Sequence, residues 1–123
     1  MTVTANVEVA SQLAGLESVW EAGLSDAYAF YRAGTSAPVA LAAALVESAL
    51  QLQHLGRGAP EPPELLVGDL CLARASRLLA DTRDQALQVA FAVAVERAAA
   101  AAAGGPAARP VRDLLLAAIG SEW

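Results

Sequence analysis

An all-α fold is predicted by three features of this 123-residue chain. Ala and Leu dominate while Ile, Tyr, Phe and Thr are scarce, a balance that favours helix over sheet. Apolar residues recur at three- and four-residue spacing through several stretches. Gly and Pro gather at a few breaks, dividing the chain into about five helices that pack as an orthogonal or antiparallel bundle. The length suits a single helical domain over residues 1–123.

In chain order, residues 6–33 open the helical pattern with Val9, Leu13, Leu16 and Trp20 repeating by four or three. Gly23 followed by Leu24, Ser25 and Asp26 reads as a helix stop and a fresh start. Residues 6–33 therefore form either one kinked helix or two, the second carrying Tyr28, Phe30 and Tyr31. Gly34 to Pro38 is a break and restart, with Ser36 as cap and Pro38 in the first turn of a helix running from Ala37 to about Leu55. Glu47, Gln51 and His54 stack on one face of that helix as a solvated polar strip or a partner contact. Residues 56–63 (GRGAPEPP) are a loop.

The stretch 63–81 reads as the organising helix of the fold. It is Leu-rich over most of its circumference, with Arg74, Arg77 and Asp81 on one narrow stripe, and a helix apolar nearly all round is a buried one. Asp69 falls on its apolar side, where a lone carboxylate is costly, so a partner for it is expected. Leu66, Leu70 and Leu72 read as core or interface, and Cys71 as a small core hydrophobe. Asp81 or Thr82 caps a further helix from about Arg83 to Ala103, which contains Phe91 and dissolves into the alanine tract 98–103. Gly104, Gly105 and Pro106 end it, residues 106–110 are extended, and a last helix covers residues 110–119.

Composition bounds the function. Net charge is −5 and all eight basic residues are Arg, scattered singly, so the basic stripe that nucleic-acid binding requires is missing. One histidine and one cysteine cannot build a Cys/His zinc site. No Gly-rich phosphate loop, nucleophile elbow or aspartate-rich cluster appears, and catalysis by this chain is not expected. The polar N-terminus is unlike a secretory signal, and the longest charge-free apolar run, 37–46, is about half a membrane span. A cytoplasmic protein with at most peripheral membrane contact is the expectation. The apolar share of 56% and mean hydropathy of +0.43 are high for a small monomer, so some apolar faces are expected to be covered by another chain.

The stretch 64–81, ELLVGDLCLARASRLLAD, resembles a helix of the trans-polyprenyl diphosphate synthases that reads approximately LLAGDxLLxxAFxLL. The matching residues are Leu65, Leu66, Gly68, Asp69, Leu72, Ala75, Leu78 and Leu79. Upstream, ALAAALVESALQLQHL is similar to the family's Ala/Leu-rich helix with a glutamate and a terminal His. Glu47 and His54 match in registers two residues apart. Arg57-Gly58-Ala59-Pro60 is similar to its Arg-Arg-Gly-x-Pro loop. Only nine residues separate Leu55 from Leu65, where the family has its first aspartate-rich motif, and the second is also missing. The resemblance therefore implies the N-terminal half of the isoprenoid synthase fold without its Mg²⁺ ligands: a small, non-catalytic subunit of a heteromeric synthase. It implies no cofactor in this chain, Mg²⁺ on a catalytic partner subunit, and a share in setting product chain length. Phe30, Tyr31 and Phe91 would floor a hydrocarbon tunnel or serve as ordinary core. The second reading is a self-associating helical scaffold or adaptor, including a homodimer, with coincidental similarity.

Overall fold

The computed structural model describes residues 13–52, 62–102 and 111–120. Val9, His54, most of the 56–63 loop and the 103–110 segment lie outside the described residues. Among the described residues the structure is a bundle of about five helices with no strand. A helical turn (Glu17–Val19) passes through a π-helical turn (Trp20–Leu24) into α1 (Ser25–Arg32). Then follow α2 (Ala37–Leu52), α3 (Pro62–Asp81), α4 (Gln85–Ala102) and α5 (Val111–Gly120).

The choice between a kinked helix and two helices resolves at Gly23. Its φ of 148° and ψ of −16° are not helical, yet Ser25 still donates its N–H to the Trp20 carbonyl across the wider π turn. Only glycine holds such a φ without a steric penalty. A Cβ added there would meet nothing within 4 Å, so the constraint is conformational and not one of space. Upstream, residues 13–15 form a turn with Gly15 at φ 85°, and the helix begins only at Glu17.

The centre of the bundle is α2. Thirteen of its sixteen residues are buried, Ala37 and the unbroken run from Val39 to Leu50. Burial on every side follows from sequence: this helix carries one charge, and its six alanines let neighbouring backbones come close all round. Its most extensive contact is with α3, and its next with α1; α5 and the π turn also touch it. Meanwhile α4 packs mainly on α5 and more lightly on α3. The buried side chains of all five helices join one hydrophobic cluster.

The organising role expected of α3 therefore belongs to α2. Gly68, Cys71, Ala75, Leu78 and Leu79 form the single buried stripe of α3, at helical spacing. Leu70 and Leu72 are half-buried, while Leu65 and Leu66 are 41% and 71% exposed. Only one face of α3 is needed to cover α2. The charges of Asp69, Arg77 and Asp81 keep its other side in water.

Local chemistry explains the remaining boundaries. Ser36 stands before α2, its carbonyl accepting the Ala40 N–H at 2.9 Å. At the entrance to α4 the cap is Asp84, not Asp81 or Thr82. The Asp84 Oδ1 accepts the Leu87 N–H at 3.0 Å, the standard reach of an N-cap. Thr82 serves the turn instead, bonding back to the Leu79 carbonyl and accepting the Asp84 N–H at 3.2 Å. Arg83 between them takes φ 57°, so the connection is a tight, side-chain-bonded reversal.

Candidate functional site

Among the described residues one charged side chain is sealed in the core, and it is Glu47. Its residue is 5% exposed. Being the only charge on a helix buried all round, it requires donors from the elements around it. They come from two directions. Tyr31 on α1 donates its hydroxyl proton to Glu47 Oε1 at 2.8 Å. Arg112, near the start of α5, grips the same carboxylate with two bonds: Nε to Oε1 at 2.8 Å and Nη2 to Oε2 at 3.1 Å. The guanidinium also lies over the Phe30 ring, 4.4 Å from its centroid. That ring in turn meets Tyr31 edge-on at 5.1 Å. One carboxylate thus ties α1, α2 and α5 together, and no buried side-chain polar atom among the described residues lacks a partner.

The chemistry of this cluster is that of a tie. Burial, then the hydrogen bond to Glu47 and its negative charge, push the Tyr31 hydroxyl well above the usual tyrosine range. The bond to Glu47 likewise raises Arg112, so the guanidinium keeps its charge. A tyrosine that holds its proton and a carboxylate saturated by donors offer neither nucleophile nor free base.

The other expected residues are dispersed. Asp69, expected to find a partner inside the core, is exposed on α3. Water solvates its charge there, and Gly68 takes the buried position beside it. Gln51 is exposed, so the polar strip expected of Glu47, Gln51 and His54 separates into a buried tie and a solvated amide; His54 lies outside the described residues. Phe91 is core, at 2% exposure, whereas Phe30 is 42% exposed beneath Arg112. Cys71 is core, as expected, and burial pushes its thiol up to about 11.

Two open grooves border exposed aliphatic residues. The larger, about 330 Å³, runs between the π turn and the start of α3, lined by Val19, Ala22, Leu52, Pro63, Val67 and Ser18. The other, about 220 Å³, lies between α4 and α5 and includes Ala90, Val93, Arg97 and Ala117. Each brings together aliphatic side chains with a single polar residue. Among the described residues no three His, Cys, Asp or Glu side chains converge as metal ligands. No described helix is long and apolar enough to cross a membrane.

No protein-family model, curated protein or solved structure matches this chain. That finding corrects the isoprenoid-biosynthesis label of the sequence reading, which no match supports. The physical reason lies in α3. Leu65, Leu66 and Asp69, three of the matched positions, face outward here, and apart from Gly68 the remaining matches are the Leu and Ala of any helix with one buried stripe.

Proposed function

We propose that this chain is a non-enzymatic helical interaction module that self-associates and acts as a scaffold or adaptor. The supporting observation is a mismatch between inside and outside. The central helix is covered over thirteen of its sixteen residues within one chain, yet Leu66 (71%), Val89 (58%), Leu116 (43%) and Val93 (37%) stay exposed. Isolated surface aliphatics are ordinary, but Val93 lines the groove between α4 and α5, which is aliphatic apart from Arg97, and Val89 is exposed one turn away on the same helix. Among the described residues the polar cluster of the core around Glu47 is spent on holding helices together, which points to the surface for function. Sedimentation equilibrium from about 1 µM to about 1 mM tests the reading, that range bracketing small, weak interfaces. A mass that climbs from monomer to dimer is expected. A monomer mass across the whole range would overturn it.

A further inference from the structure

We propose that the self-associating surface is the outer face of α4, paired antiparallel about a two-fold axis with α4 of a second copy; this rests on the self-association reading above. At 100° per residue, Ala86, Val89, Val93, Glu96 and Ala100 fall within an arc of about 80°. All five are exposed, and the buried Leu87, Phe91, Ala94 and Ala98 occupy the opposite side of the helix. The arc has the a/d spacing of a helix-pairing seam (86, 89, 93, 96, 100), so α4 is amphipathic toward its own core and again toward the outside.

Charge selects the occupant and its direction. The seam and its flank carry one Glu and one Arg, Glu96 and Arg97, so two such faces meet without the repulsion that the chain's net charge of −5 would otherwise impose. In an antiparallel two-fold pairing Val89 faces Val93 of the second copy. Glu96 then lies opposite Ala86 of the second copy, beside Arg83 and the Asp84 cap, whose carboxylate is taken up by the Leu87 N–H, and the two Glu96 carboxylates are kept at opposite ends of the seam. A parallel pairing would instead set Glu96 against Glu96 and bring the two negative helix ends together. Beside the seam, the 220 Å³ groove between α4 and α5 supplies a hole for an aliphatic knob from the opposing helix.

The seam is about 21 Å long at 1.5 Å per residue. Together with the α5 side of the groove it offers a footprint of roughly 400 Å² per copy, taking helices about 10 Å wide. That is below the size of a standard specific interface and in the range of weak, transient ones, and a dimer half-populated at about 10–100 µM is expected.

Sedimentation equilibrium of the full chain, with circular dichroism to verify folding, tests the surface. Val89→Glu and Val93→Arg alone should each weaken the dimer at least about tenfold. Mixed one to one, they should restore a heterodimer, because the carboxylate introduced on one copy then faces the guanidinium introduced on the other. Val89→Glu mixed with Val89→Arg should not, since residue 89 does not face itself. If both single variants fold and dimerise like the parent, the surface is wrong while self-association stands. If the mixture that should restore pairing stays monomeric, or the 89/89 mixture pairs instead, the antiparallel register is wrong. A parent chain that is monomeric throughout overturns both the surface and the reading beneath it.

Discussion

Helices α2 and α3 are both Ala- and Leu-rich, both carry an acid flanked by apolar residues, and they pack against each other, yet their fates differ. The first is wrapped on all sides and its acid, Glu47, is sealed in the core with three donor contacts. The second buries one stripe and leaves its acid, Asp69, in water. What separates them is the distribution of charge. Along α3, Asp69, Arg77 and Asp81 keep returning one side to solvent, whereas α2 has nothing but Glu47 to hydrate. A single charge can be internalised if neighbouring helices bring it partners; several on one helix cannot.

The contrast can be broken most forcefully with leucines. Leu45→Ala in α2 deletes a fully buried side chain and should cost about 2–5 kcal/mol, whereas Leu66→Ala in α3 should stay within about 0.5 kcal/mol. Urea midpoints of the two variants check this, and equal losses would refute the assignment of α2 as the centre.

The two acids give the next effect. Glu47→Ala strands the Tyr31 hydroxyl and frees Arg112, and should cost about 3 kcal/mol, the lower end for a broken buried pair because Arg112 can reach water. Asp69→Ala should be nearly neutral, within about 0.5 kcal/mol. Tyr31→Phe should fall between them at about 1.5 kcal/mol, since it removes one hydrogen bond from a carboxylate that keeps Arg112.

Alkali sharpens the comparison where the two helices meet. The Cys71 thiol rises from its usual 9.0 to about 11 by burial against the core. Below pH 9 both folded and unfolded thiols are protonated, and stability is level. As pH rises from about 9 to about 11 the unfolded thiol ionises first, and about 2–3 kcal/mol of stability is lost by linkage at roughly 1.4 kcal/mol per unit. Tyr31 deepens the loss above its usual 10.0, for the same reason. Denaturation midpoints between pH 8 and 10 should stay flat in Cys71→Ala and fall in the parent. The smallest effect lies where the chain leaves α3: Asp84→Ala removes the α4 cap and should cost about 1 kcal/mol in the same urea assay.

Much of this architecture is legible from residue order. The break at Gly34–Pro38, the Pro-led start of α3 and the restart after Asp81 follow from backbone chemistry that acts over a few residues, and the structure places helix ends within a few positions of them. Which helix becomes the centre is decided by competition among all five for the same interior, and local periodicity does not record that contest. The tie is similarly hidden, because Arg112 lies 65 residues beyond Glu47 and Tyr31 sixteen before it. A signal for it does exist. One acid in a sixteen-residue helix without another charge must be neutralised from elsewhere, and the same reasoning applied to Asp69 failed because α3 had other charges to turn toward solvent.

The solitary thiol of the chain sits where α3 meets the core and is fully shielded. Any thiol-specific reagent must therefore wait for the molecule to open before it can react, and the pace of modification becomes a clock for that opening. This protein carries its own unlabelled gauge of breathing, one that can be read in dilute solution without altering a single residue.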